Sequence, residues 1–401
     1  MNVVYDILDK KLNRIKNNGS YRIFTPINRV AKNFPKAIHC GSGKEITIWC
    51  SNDYLGMGQN KLAIDFMIDS VDKFGVGAGG SRNIGGTNEV HNMLEREMAS
   101  LHNKDAALIF PTGYGSNDVT LACLSRLLPE CVFISDEKNH ASIINGLRQS
   151  SNTRKMIFKH NDLQNLEEVL QSINIGTPKI VIFESVYSMD GDVAPIKEIV
   201  ALAKRYNAIT YLDEVHAIGI YGEEGAGYAN KLNISNEVDI IQGTFAKAYG
   251  VIGGYITGNR ILVDAVRSFG NGFIFTTSLP PAIVATILHN VQYLRNSNHE
   301  RDLLLYKTIT LRHLMKENNI PLMSSSTTHV LPILIGNTVA ATEISKYLLE
   351  KHDIYIQAIN SPTVAVGTER LRINASPNHT EEEITYLIKA LKEALQYFKI
   401  I

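Results

Sequence analysis

Cysteine is scarce in this 401-residue chain: Cys40, Cys50, Cys123 and Cys131 are the only four. That excludes a disulfide-dense fold and fits reduced thiols in a cytoplasmic protein. No pair is spaced C-x-x-C and no histidine cluster completes a zinc pattern, so no metal ligands are expected. Net charge is absent too: Lys plus Arg and Asp plus Glu both total 40. This removes the electrostatic case for nucleic acid or an anionic membrane as a partner. No apolar run approaches the roughly 20 residues that span a bilayer. There is no low-complexity linker, no internal repeat and no P-loop. The first 18 residues lack the apolar stretch of a signal peptide and the acid-poor character of a transit peptide. Their Val3, Val4, Ile7, Leu8, Leu12 and Ile15 recur at helical spacing instead.

What is present is the composition of an ordinary globular protein, 44% hydrophobic and 20% charged, too long for one simple core. Short apolar runs alternate with amphipathic helical stretches from about residue 61 to 285. Strands are expected at Ala106–Phe110, Cys131–Ser135, Lys179–Glu184, Ala208–Leu212, Asp239–Gly243 and Gly253–Thr257. Near-continuous apolar strands separated by helices indicate an α/β fold with a mostly parallel sheet covered on both faces. Beyond the helix opened by Pro280 and Pro281 the pattern loosens into α+β, with strands at Val330–Ile335 and Leu371–Ala375 and a last helix at Glu381–Phe398. The expected division is 1–57, a helix and strand packing with the small domain; 58–285, the large domain; and 286–401, the smaller C-terminal domain.

Ligands of open α/β sheets bind beyond the carboxyl ends of the strands. Asp136 and His140 follow one expected strand, Ser185 to Gly191 another, Asp213-Glu214-Val215-His216 a third and Thr244-Phe245-Ala246-Lys247 a fourth. Pyridoxal phosphate uses such a set: a lysine amine for its aldehyde, a carboxylate beside its pyridine nitrogen, a flat group over the ring and donors for its phosphate. An opposite charge keeps a buried Asp213 ionised, and the small or apolar neighbours of Lys247 favour its neutral amine. Thr112-Gly113-Tyr114-Gly115 before a helix is a candidate phosphate cradle. Gly75 to Gly80 imitates a dinucleotide fingerprint but follows a helix, not a strand, so it is read as a place of close backbone approach to a ligand. Singly, each feature has a plainer reading as a surface lysine, a capping aspartate, a structural histidine or an ordinary turn. Their order at successive strand ends carries the argument. A nicotinamide oxidoreductase would leave Lys247 unexplained, and a non-catalytic binding protein would not need the intact set.

With these residues stand longer matching segments: Tyr21-Arg22, Trp49 to Gly58, Asn139 to Ser142, FESVYSMDGD from Phe183, YLDEVHA from Tyr211, GTFAKAYG from Gly243, GFIFTTSLPP from Gly272 and GTERLR from Gly367. In them the chain resembles the α-oxoamine synthases, fold-type I pyridoxal-phosphate enzymes, along nearly its whole length. The resemblance implies a seven-stranded-type sheet sandwiched by helices, with the smaller α+β domain, and condensation of glycine with an acyl-CoA. It implies Lys247 as covalent anchor and acid/base, Asp213 at the pyridine nitrogen, His140 over the ring, and His216 and Ser188 at the phenolic oxygen. Ser135, Thr244, Gly113 and Tyr114 would serve the cofactor. Thr276 and Thr277 would reach the phosphate from a neighbouring subunit, which implies an obligate homodimer with shared sites. Arg372, with Asn52 nearby, would grip the glycine carboxylate. Arg22, Ser81 and Asn83 would hold a succinyl end, Lys155 would contact CoA, and Thr363 sits in the segment resembling the lid.

Retention of Arg22, Thr363 and FESVYSMDGD points to succinyl-CoA; the alternative is a member taking another acyl-CoA. Departures cluster where that choice is set. Ser81 stands in place of the Thr of succinyl-using members. Ile84-Gly85-Gly86 replaces Ile-Ser-Gly. Ser361-Pro362-Thr363-Val364-Ala365-Val366-Gly367 has lost an aromatic, a proline and an arginine from the lid pattern. No Cys-Pro dipeptide occurs, so the haem-regulatory motifs of mitochondrial members are absent, in keeping with a cytoplasmic protein.

Overall fold

A computed structural model describes residues 2–149 and 154–401. The chain forms two compact units. The larger comprises Asn60–Tyr187 and Val193–Arg301. The smaller comprises Met1–Gln59, Ser188–Asp192 and Asp302–Ile401.

The larger unit is built on a seven-stranded sheet. Its spatial order is Ala106–Phe110, Gly254–Gly258, Ile240–Thr244, Ile209–Asp213, Lys179–Glu184, Val132–Asp136 and Arg154–Phe158. Only Gly254–Gly258 runs antiparallel, to both its neighbours. Side chains alternate between two cores, as the period of two along a strand requires. Ile134, Val181, Phe183, Leu212 and Ile241 face one side, with Leu166, Ile199 and Val200 from its helices. Phe133, Ile182, Tyr211, Ile240 and Ile256 face the other, with Leu121, Ile143 and Val266.

The six expected strands lie within one residue of their expected spans. The seventh, Arg154–Phe158, escaped because it is an edge strand. Arg154, Lys155 and Ile157 are exposed and only Phe158 is buried, so it lacks the apolar run of a central strand. Because the central strands are parallel, their last residues, Asp136, Glu184, Asp213 and Thr244, share one edge.

The smaller unit carries a four-stranded sheet, Ile27–Arg29, Lys36–His39, Glu45–Ile48 and Ile354–Tyr355, and a three-stranded one, Val330–Leu334, Arg370–Asn374 and Ala358–Ile359. Trp49 stacks on His379 at 3.6 Å between ring centroids. Thr380 and Glu383 close a capping box on the helix Glu381–Tyr397. The N-terminal helix Val3–Asn17 forms as its spacing predicts, but buries none of its residues.

The compact units differ from the expected spans in two respects. The break falls at 301/302, not 285/286, because the helix Pro281–Asn296 packs against Lys61–Phe74 and Glu89–Leu101. The smaller unit also takes in Ser188–Asp192 from mid-chain. There the Gly191 carbonyl accepts from the backbone N–H groups of Thr327 and Thr328 and from the Thr328 hydroxyl. A contiguous reading of the chain cannot anticipate such an exchange.

Candidate active site

Lys247 lies three residues past strand Ile240–Thr244, and His216 three past Ile209–Asp213. Neighbouring parallel strands therefore bring the two together, and Lys247 Nζ is 2.7 Å from His216 Nε2. Asp213 ends the same strand that delivers His216. Its carboxylate accepts from Val215 N–H at Oδ1 (2.9 Å) and from the Asn117 amide at Oδ2 (2.8 Å). Burial pushes the Asp213 carboxyl above its ordinary range; those two donors, then His140 and Lys247, pull it back. A buried carboxylate in that position gains from a cationic partner such as a pyridinium.

His140 caps the helix Ala141–Arg148, its Nδ1 accepting from Ser142 N–H. Its own backbone N–H donates to Glu184 Oε1 at 2.6 Å. The protein packed around the ring lowers the imidazole below its usual value, against the pull of Asp213 and with the help of Lys247. Tyr114 meets the His140 ring edge-on, with centroids 6.2 Å apart. Glu184 and Asn117 are functional supports that the sequence reading passed over. Glu184 ends a wholly buried strand opposite Asp213, and burial, then Asp213, holds its carboxyl well above the ordinary range. An acid closing an all-apolar strand is a readable signal. Asn117 lies mid-helix and offers none.

The candidate phosphate cradle is the start of helix Gly113–Leu127, where Thr112 caps through Gly115 N–H (2.9 Å). The first N–H groups of a helix have no intrahelical acceptor and suit an anion. A Cβ on Gly113 would come within 2.7 Å of Thr244 Oγ1, so glycine is required for this turn to meet the lysine-bearing strand. The Thr244 hydroxyl donates to the Gly253 carbonyl (2.8 Å). The Ser135 hydroxyl donates to the Asp136 carbonyl and accepts from Asn139. Ser81 and Thr277 pair as an isolated antiparallel bridge, with Thr276 half-buried and Thr277 exposed. Asn83 is exposed on the same loop. At Gly80 and Gly86 the close approach is of the loop to itself. A Cβ on Gly80 would sit 2.1 Å from the Ile84 carbonyl oxygen, and one on Gly86 2.2 Å from that of Gly80. This corrects the expected ligand approach at Gly80 alone, since a Cβ on Gly75, Gly77 or Gly79 of the same run would meet no protein atom within 4 Å. Lys155 is exposed on the edge strand, beside Phe133 and away from the carboxyl ends.

In the smaller unit Arg372 is buried and anchored at three nitrogens. Nε donates to the Ser188 carbonyl (2.7 Å), Nη1 to Asn52 Oδ1 (3.0 Å) and Nη2 to the Tyr54 hydroxyl (2.8 Å). A guanidinium has five N–H groups, so one remains on each terminal nitrogen, the geometry of a two-point carboxylate contact. Tyr54, fully buried, was not singled out in the sequence. Ser188 belongs here through its carbonyl. Arg22 and Thr363 are both exposed, and Arg22 Nη2 donates to Thr363 Oγ1 at 3.0 Å.

The larger unit's donor set fits pyridoxal phosphate: an amine beside an imidazole, a buried carboxylate, a flat ring and a helix start opened by glycine. The family model "Aminotransferase class I and II" matches residues 44–391. A relative called 5-aminolevulinate synthase from Rickettsia felis is 50% identical over 96% of this chain and 93% of its own. One of the same name from Bradyrhizobium diazoefficiens is 47% identical over 95% and 93%. A mitochondrial one from Schizosaccharomyces pombe is 48% identical over 98% and 70%. Among solved structures, serine palmitoyltransferase from S. paucimobilis, with a pyridoxal-phosphate adduct bound, superposes with a TM-score of 0.90 at 28% identity, covering 99% of this chain and 98% of its own. The chain belongs to the class I and II aminotransferase family, in the pyridoxal-phosphate branch whose curated members are named 5-aminolevulinate synthase.

Proposed function

We propose that this protein joins glycine to succinyl-CoA with release of CoA and carbon dioxide, giving 5-aminolevulinate for tetrapyrrole synthesis. The observation that carries the reading is the 2.7 Å approach of Lys247 Nζ to His216 Nε2 beside the buried Asp213 carboxylate. Pyridoxal phosphate, when bound, supplies an electron sink for the pair freed at the glycine α-carbon. Lys247 anchors it and moves the α-proton, with His216 orienting the amine. Asp213 keeps the pyridine nitrogen protonated, and Val215 and Asn117 hold that carboxylate in place. His140 covers the ring. The first turn of helix Gly113–Leu127, with Thr244 behind it, receives the phosphate, and Ser135 supports the neighbouring strand end. Ser188 is assigned to the phenolic oxygen with His216. Arg372, braced by Asn52 and Tyr54, takes the glycine carboxylate. Arg22, Ser81 and Asn83 are assigned to the succinyl end, Thr363 to its closure and Lys155 to CoA.

A homodimer sharing Thr276 and Thr277 between sites completes the proposal. It is supported by exposed apolar side chains on the same loops, Val76 (82% exposed), Ile84 (73%) and Phe275 (80%), which a monomer would leave in water. A cytoplasmic location is supported by the bacterial relatives, whose names carry no compartment, whereas fungal ones are called mitochondrial. Among the described residues no helix is long and apolar enough to cross a membrane. Ser81 and Val366 favour one second reading, a related synthase for another acyl-CoA such as 2-amino-3-ketobutyrate CoA ligase.

Borohydride reduction of the protein with pyridoxal phosphate, followed by peptide mass spectrometry, tests the anchor. A pyridoxyl group on the Lys247 peptide is expected. Its absence there, or its presence on another lysine, would overturn the assignment.

A further inference from the structure

His140 has two ring nitrogens, and which of them carries the proton decides what the ring offers a bound molecule. The backbone N–H of Ser142 is a fixed donor in the first turn of its helix, where no intrahelical carbonyl can receive it. Ser142 is fully buried, so this N–H needs a protein acceptor, and that acceptor is His140 Nδ1 at 3.2 Å. An Nδ1 that accepts is unprotonated. The Ser142 hydroxyl reaches the same nitrogen at 2.7 Å. Its direction is set from behind by Asn117, whose Nδ2 donates to Ser142 Oγ (3.0 Å) and leaves the hydroxyl proton to go to Nδ1.

Asn117 cannot turn over at ease. Its other Nδ2 hydrogen meets Asp213 Oδ2 (2.8 Å), and its Oδ1 accepts from the Tyr211 hydroxyl (2.8 Å). A flipped amide would set its oxygen against the Asp213 carboxylate. Two other histidines repeat the device: His91 Nδ1 accepts from Asn88 N–H, and His379 Nδ1 from Ser376 N–H, each with Nε2 against a backbone carbonyl. At His140 no described residue takes Nε2.

We propose that Ser142, aimed by Asn117, is a positioning residue that fixes His140 as the neutral tautomer with its proton on Nε2. The outward nitrogen is then a hydrogen-bond donor toward a carboxylate or carbonyl oxygen of the reacting molecules, and it is not a base. Proton removal is thereby left to Lys247. Because one asparagine also holds Asp213, the ring's tautomer and the carboxylate's position are set together. The charged groups acting on His140 are Asp213 and Lys247, with Glu184 on its backbone N–H and the Tyr114 ring beside it. What the donor acts upon rests on the proposed function; the tautomer does not.

The test is carbon-13 and nitrogen-15 NMR of histidine-labelled protein, with and without pyridoxal phosphate, His140 being identified by difference from H140Q. The wild type is expected to show Nε2–H shifts near neutral pH in both states. Nδ1–H shifts would overturn the proposal. In Ser142→Ala one donor to Nδ1 is lost, so the tautomer ratio should fall roughly fivefold and the His140 titration should move upward. Ser142→Thr should restore both. An unchanged ratio and titration in Ser142→Ala would overturn the role of the hydroxyl. A protein that never takes up pyridoxal phosphate would sink the cofactor reading while leaving the tautomer result to stand or fall on its own.

Discussion

The strand-end cluster of Lys247, His216, Asp213 and His140 and the 361–367 segment differ in how many constraints act on each side chain. Asp213 is buried and held by two donors, Lys247 lies against a buried imidazole, and His140 is fixed through its backbone and its ring. Thr363, by contrast, is exposed and meets Arg22 through a single hydrogen bond between two exposed side chains. Val366 is 81% exposed. A position with several buried partners admits few substitutions; one facing water admits many. Departures from the pattern that the resemblance implies fall in the segment and not in the cluster, which is where the difference in constraint allows them.

The largest effect should come from Lys247→Ala. Removing anchor and acid/base together is expected to cut CoA release with glycine by about three orders of magnitude or more. Steady-state turnover within about tenfold of wild type in that variant would break the comparison at its strong end. Asp213→Asn should follow with a loss of roughly a hundredfold or more, since no carboxylate then holds the pyridine proton. Kinetics close to wild type would remove Asp213 from the cofactor.

Constraint is not confined to one unit, and acid titration shows where the smaller unit has it. Burial lowers the His379 imidazole to about 4, between Trp49 and the Ile48 carbonyl. Above an unfolded value of about 6.5 both states are neutral and nothing is lost. As the pH falls from about 6.5 toward 4 the unfolded chain takes up a proton that the folded one refuses. Stability should drop by up to about 1.4 kcal/mol per pH unit from this group. Urea unfolding at stepped pH should show the slope, and His379→Gln should flatten it. An unchanged slope in the variant would contradict the burial argument.

The smallest effects belong to the exposed segment. Thr363→Ala should raise the acyl-CoA KM only a few-fold, the scale of one exposed hydrogen bond. Val366→Arg should shift acyl-CoA affinity or closure rate while the cofactor's absorbance stays unchanged. A disturbed cofactor spectrum in either variant would show that the two regions are not as separable as their constraints indicate.

The legible parts of the sequence are those where one physical demand acts alone. Central strands read as apolar runs, and Asp213, Thr244 and the turn at Gly113 could be located because they close or follow such runs. The edge strand Arg154–Phe158 could not, since solvent on its flank removes the signal. Asn117, Glu184 and Tyr54 act through partners 25 to 318 residues away, which no local pattern encodes. The assignment of Ser188–Asp192 to the smaller unit likewise depends on hydrogen bonds to residues beyond 326.

The most direct measurement is CoA-thiol release from succinyl-CoA and from acetyl-CoA, each with glycine and pyridoxal phosphate. Strong preference for succinyl-CoA is predicted, and would make Ser81 and the altered 361–367 segment tolerated variations. Preference for acetyl-CoA would contradict the proposed reaction while keeping the cofactor chemistry, and would turn attention to Ser81 and Val366.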